Sequence, residues 1–179
     1  MIVAAGDVTA EQLMEIVPEL SQQQAQEYIG PLNKAMRESD INTPQRKAAF
    51  IATLAVESDR FQTFEEYASG ADYEGRPDLG NSQPGDGVKY KGRGAIQITG
   101  RDNYTQMSHD LGVDFVNHPE LASTPEYAFA TAAWFWTSHD VNSQADLGIL
   151  KTTERVNGGT FGIDERTAYY NKGLQVLGG

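Results

Sequence analysis

Apolar residues along the chain recur mainly at three- and four-residue spacing, and this period predicts helices. Two capping boxes, Thr9-Ala10-Glu11-Gln12 and Ser21-Gln22-Gln23-Gln24, mark the starts of two of them. In the second, Ala25, Tyr28, Ile29, Leu32 and Met36 share one face, and Pro31 predicts a kink or a break. Asn42-Thr43-Pro44 supplies a cap and a first-turn proline for a third helix. Its body, Ala48 to Val56, is apolar nearly all round, so it should be buried on every side.

Helical spacing returns after Gly100, and Thr124-Pro125-Glu126 opens a further helix carrying Tyr127, Phe129, Ala133, Trp134 and Phe135. The Trp134-Phe135-Trp136 run reads as core packing. Val156-Asn157-Gly158-Gly159 reads as a helix end, and Ile163 to Leu177 as a last helix. Two stretches depart from this pattern. Ile96-Gln97-Ile98-Thr99 alternates like a short strand with one polar face. Between Tyr67 and Lys91, glycines at 70, 75, 80, 85 and 87 alternate with Pro77 and Pro84, which predicts a long loop with at most a small β-hairpin. The expectation is one mostly α domain over residues 1–179 with a long Gly-rich loop excursion.

Composition narrows the chemistry. The 179 residues include no cysteine, which excludes disulfides, thiolate zinc sites and a cysteine nucleophile. With 25 acidic and 14 basic residues the formal charge is −11, which argues against a nucleic-acid partner and against long-range attraction to anionic surfaces. No stretch approaches the roughly 18 apolar residues of a membrane span, so no stable membrane association is expected. Met1 to Asp7 carry no charged leader or long apolar run. The expected product is therefore a cytoplasmic monomer without a signal peptide, reaching any cell wall only after export or membrane permeabilisation. His109, His118 and His139 follow no metal spacing, and neither a metal nor a cofactor is expected.

Glu57 closes the apolar helix. Apolar neighbours and the negative helix end both disfavour its charged form, which suits a general acid. Nine residues on, Glu65 and Glu66 offer a second carboxylate at the mouth of the loop, and pattern alone does not choose between them. Paired acids serve glycosidases, whose inverting members hold the two carboxyls about 6.5–9.5 Å apart around a water. Between Tyr90 and Tyr104, glycines 92 and 94 flank Arg93 and permit close backbone approach. Gln97 and Thr99 then present an amide and a hydroxyl, groups that bind sugars, and the two tyrosines could stack on sugar faces.

The run Tyr90-Lys91-Gly92-Arg93-Gly94-Ala95-Ile96-Gln97-Ile98-Thr99-Gly100-Arg101-Asp102-Asn103-Tyr104 resembles the signature of glycoside hydrolase family 19, the plant-type chitinases and many phage endolysins. Ala48 to Ser58 resembles the helix bearing the family's acid. Asn117-His118-Pro119-Glu120-Leu121, Ala132 to Trp136 and Val156 to Gly159 resemble later landmarks in the same order. The resemblance implies a lysozyme-like helical fold, inversion at the anomeric carbon and no metal. It makes Glu57 the acid, Glu66 the base and Thr99 the hydroxyl that helps hold the attacking water. Gln97, Asn103, Asn157 and Arg166 become substrate contacts, beside Tyr90 and Tyr104, which the stacking argument adds. The implied activity is endolysin-type cleavage of peptidoglycan glycan strands, with a chitinase or a catalytically inactive wall-binding module as alternatives.

Overall fold

The computed structural model describes residues 6–178, so of the N-terminal segment read above, Met1 to Ala5 lie outside the described residues. Among the described residues nine α-helices run in chain order: α1 (Ala10–Ile16), α2 (Gln22–Glu38), α3 (Pro44–Glu57), α4 (Asp86–Lys89), α5 (Arg101–Leu111), α6 (Pro125–Ser138), α7 (Val141–Ala145), α8 (Ile149–Asn157) and α9 (Ile163–Leu177). Both capping boxes form, with Thr9 and Ser21 accepting from the amides of Gln12 and Gln24 and receiving the glutamine side chains in return. Thr43 caps α3 ahead of Pro44. The break expected at Pro31 is absent, because α2 continues through it to Glu38. Four apolar residues of its inner face, Ala25, Ile29, Leu32 and Met36, are buried on both sides of the proline, and tertiary packing outweighs one lost backbone bond.

Helix α3 lies at the centre, with every residue from Ala48 to Ala55 buried. Helix α9 packs along it, and Gly173 makes the close approach possible: a Cβ there would stand 2.8 Å from that of Ala48. Trp136 of α6 meets Phe50 of α3 edge-on at 5.0 Å and is fully buried, as the core reading required, while Trp134 is only partly so. Tyr28, Phe61, Phe64 and Phe129 form a second aromatic cluster, with centroids 5.3 to 6.5 Å apart.

The loop excursion contains no hairpin. It folds instead into 3-10 turns at Ala71–Tyr73 and Pro77–Leu79 followed by α4. Nor do residues 96–99 form a strand; isolated antiparallel bridges join Glu65 to Arg93 and Arg93 to Ile98. The alternation was still informative, since Ile96 and Ile98 are buried while Gln97 and Thr99 reach solvent.

Candidate active site

Glu57 ends α3, and its side chain is 24% exposed. Arg166 of α9 meets it, donating Nη2–H to Oε1 at 2.5 Å, and that guanidinium has no solvent access. This corrects the expected substrate contact: a side chain sealed in the interior holds the acid and cannot touch a glycan. Arg166 also donates from Nε to the Phe161 carbonyl at 3.0 Å. Its Nη1 and the Thr53 hydroxyl, one turn before Glu57, are buried without a partner among the described residues.

Past the acid the chain makes a left-handed turn. Asp59, Arg60 and Phe61 take φ of 51°, 59° and 62°, a conformation that costs a side-chain-bearing residue roughly 1–2 kcal/mol each. The surroundings hold it in place. Buried Ser58 donates its hydroxyl to the Leu54 carbonyl at 2.6 Å and accepts the Phe61 amide at 3.0 Å. The Phe61 ring is buried in the aromatic cluster. Arg60 pairs with Glu165 at 2.5 Å, so consecutive residues of α9 clamp both sides of the turn. Tyr67 donates its hydroxyl to Asp59 at 2.8 Å.

The turn leads to Glu65 and Glu66, and their surroundings differ. Glu65 is half exposed and faces Lys91 at 3.4 Å and Arg93 at 3.2 Å. Glu66 accepts the Gly92 amide at 2.7 Å on one oxygen and the Tyr73 hydroxyl at 3.0 Å on the other. Its own amide donates to the Gly92 carbonyl at 2.9 Å. A Cβ at Gly92 would lie 3.1 Å from Gln97 Oε1 and 3.3 Å from Thr99 Oγ1. Glu66, Gln97 and Thr99 therefore converge on this glycine, and any larger residue would push into Gln97 and Thr99.

The remaining expected residues divide into two kinds. Asn103 is exposed and donates its amide to the Thr99 carbonyl at 2.9 Å. Asn157, also exposed, accepts the Gly159 amide at 2.8 Å and reaches the Phe161 carbonyl at 3.5 Å, bracing the turn into α9. Tyr90 and Tyr104, by contrast, are fully buried against each other at 5.1 Å. Their hydroxyls donate to the carbonyls of Val116 at 2.8 Å and Lys91 at 2.5 Å. Burial pushes the Tyr104 phenol up to about 12. The stacking role expected of both tyrosines is withdrawn, because neither ring has an open face.

Tyr73, the Gly92 amide and Phe161 went unrecognised in the sequence. Tyr73 sits in a stretch with no period to read. Phe161 is 79% exposed, directly beside Arg166 and Asn157, and its setting becomes visible only once α8 and α9 are placed. Among the described residues no group of three His, Asp or Glu side chains is placed to share a metal ion.

A family model described as chitinase class I, of the glycoside hydrolase 19 type, matches residues 57–151. A Haemophilus influenzae protein described as containing a glycosyl hydrolase family 19 domain is 37% identical over 126 residues, 61% of each chain. An Arabidopsis thaliana endochitinase is 34% identical over 138 residues, 73% of this chain and 47% of its own. The chain spans about half the length of the curated relatives it matches. Chitinase C from Streptomyces griseus shares the fold with a TM-score of 0.79 at 20% identity, over 99% of this chain and 79% of its own. A bacterial family 19 chitinase does so with a TM-score of 0.76 at 23% identity, over 96% and 95%.

Proposed function

The chain belongs to glycoside hydrolase family 19, and from that premise we propose that it cleaves glycans of β-1,4-linked N-acetylhexosamines by single displacement with inversion. One observation carries the reading: the carboxylate of Glu66, nine residues after a carboxyl group that closes a buried helix, and the hydroxyl of Thr99 both lie against Gly92. In this mechanism Glu57 gives its proton to the glycosidic oxygen as the bond to the anomeric carbon breaks. Water attacks that carbon from the opposite face, and Glu66 takes the water's proton while Thr99 orients it. Arg166 engages Glu57 Oε1. Among the described residues no hydrogen bond reaches Oε2.

We further propose peptidoglycan as the substrate, with the protein acting as a monomer on the wall after export or membrane permeabilisation. The close spacing of the two acids and the absence of cysteine support this endolysin-type reading. The relatives named endochitinase and chitinase favour chitin as the second reading. Purified peptidoglycan and soluble chitin oligomers, digested side by side, decide between them, with mass spectrometry of the new reducing ends as the readout. Turnover of the oligomers with no new ends in peptidoglycan would establish the chitinase. On the preferred substrate a folded Glu57→Gln protein should lose about 10²–10⁴ in rate, and Glu65→Gln should be nearly silent. Retention of more than about a tenth of the rate by Glu57→Gln would remove it from the acid's role.

A further inference from the structure

The long loop between Tyr67 and Lys91 is pinned at several points. Asn81, only 1% exposed, donates to the Tyr73 carbonyl at 2.9 Å and accepts the Arg101 amide of α5 at 2.9 Å. Buried Asp86 takes two bonds from the Arg101 guanidinium, both 2.8 Å. The Glu74 carboxylate receives the amides of Gly85 and Gly87 at 2.9 Å each. At Gly87 a Cβ would stand 2.6 Å from the Glu74 nitrogen, so the two arms of the loop are in direct backbone contact. An excursion tied down in this way does not open and close as a lid. It holds a fixed side chain at a fixed place, and the one it brings to Glu66 is Tyr73.

We propose that Tyr73 is a positioning residue for Glu66, aiming the carboxylate that activates water. The inference rests on the reading of Glu66 as general base. The geometry supplies two donors to two oxygens: Gly92 N–H at 2.7 Å fixes Oε1, and the Tyr73 hydroxyl at 3.0 Å fixes Oε2. With both oxygens held, rotation of the carboxylate about its terminal torsion stops, a torsion that is otherwise broad. Burial, and then the bond to Glu66, push the Tyr73 phenol above its ordinary value, so the hydroxyl keeps its proton and remains the donor. A cavity of about 120 Å³ bounded by Glu66, Ala68, Ser69, Gly70 and Tyr73 adjoins the pair. One water needs at least roughly 10–15 Å³ of such volume, so the space is large enough to be wet. Tyr73 and Glu66 thus border the same space.

Tyr73→Phe removes the hydroxyl and leaves the ring and the Asn81 contact to its backbone. The expected result on the working substrate is a fall in kcat of about tenfold, the scale of a small misplacement of a catalytic group, with KM within twofold of its starting value. The decisive arm repeats the substitution in a Glu66→Gln background. If Tyr73 acts through Glu66, the double variant is within twofold of Glu66→Gln alone, because residues working as a unit are not additive. A merely structural tyrosine would lower the rate equally in both backgrounds and overturn the inference. So would an unchanged kcat in Tyr73→Phe while Glu66→Gln is crippled, and in that case the base assignment stands. Full activity in Glu66→Gln would instead remove Glu66 as base, and the role of Tyr73 would fall with it.

Discussion

Phe161 shows what a single exposed ring can do when its backbone is locked. Two residues hold its carbonyl, Arg166 through Nε at 3.0 Å and Asn157 at 3.5 Å, while the ring is 79% exposed. An aromatic ring held at low entropic cost next to the residue that grips Glu57 offers a flat apolar face to a sugar. Phe161→Ala should therefore raise KM for an oligomeric glycan several-fold with kcat little altered, the pattern of lost uniform binding. Steady-state kinetics on oligomers of increasing length are the check. An unchanged KM at every length would leave the ring without a role in binding.

Between elements, close packing and ion pairing set the limits. Alanine in a helix is normally favoured over glycine by about 1 kcal/mol, yet Gly173→Ala would place its methyl carbon 2.8 Å from Ala48 Cβ. The expected outcome is a loss of about 1–3 kcal/mol, read as a lowered Tm, as α9 is levered off α3. The Asp86–Arg101 pair makes a different prediction. The Arg101 hydrogen bonds, as the leading cause, hold the Asp86 carboxyl below the usual range. Its contribution is therefore complete above the ordinary carboxylate value of about 3.9 and drains away as pH falls through the depressed one. Melting curves of the protein and of Asp86→Asn, well separated at pH 7, should converge below about pH 4. A constant gap down to pH 3 would contradict the pairing.

Helix caps, the buried α3 and the span of α9 were legible in the sequence because each depends on residues within one or two turns. The same locality explains the failures. At Pro31 the local rule lost to packing along α2, and the interior of the loop has no period to read. Glu57–Arg166 spans 109 positions, so no local pattern announced it. Arg166, Tyr90 and Tyr104 were assigned to the substrate because a motif tells which residues gather at a site and not which of them face inward.

At the scale of the whole molecule the formal charge of −11 governs the approach to a charged substrate. If the substrate is an anionic wall, repulsion reaches about 30 Å at 0.01 M salt and about 10 Å at 0.1 M. Lysis of outer-membrane-stripped cells should rise as salt increases over that range, while turnover of neutral chitin oligomers stays flat. A steady fall of lysis with salt, as for a basic enzyme, would refute the electrostatic argument.

The ion pairs that clamp the turn after Glu57 also set a clock. Translation proceeds at about 5–20 residues per second, and Arg166 follows Glu57 by 109 positions. For roughly 5–20 s after the acid has been synthesised, its partner does not yet exist, and neither does Glu165 for Arg60. Once Thr99 has been added, 67 positions before Arg166, a nascent chain carries every residue of the Gly92 cluster and still has an unaimed acid. On the proposed mechanism the acid is therefore aimed late, with the docking of α9.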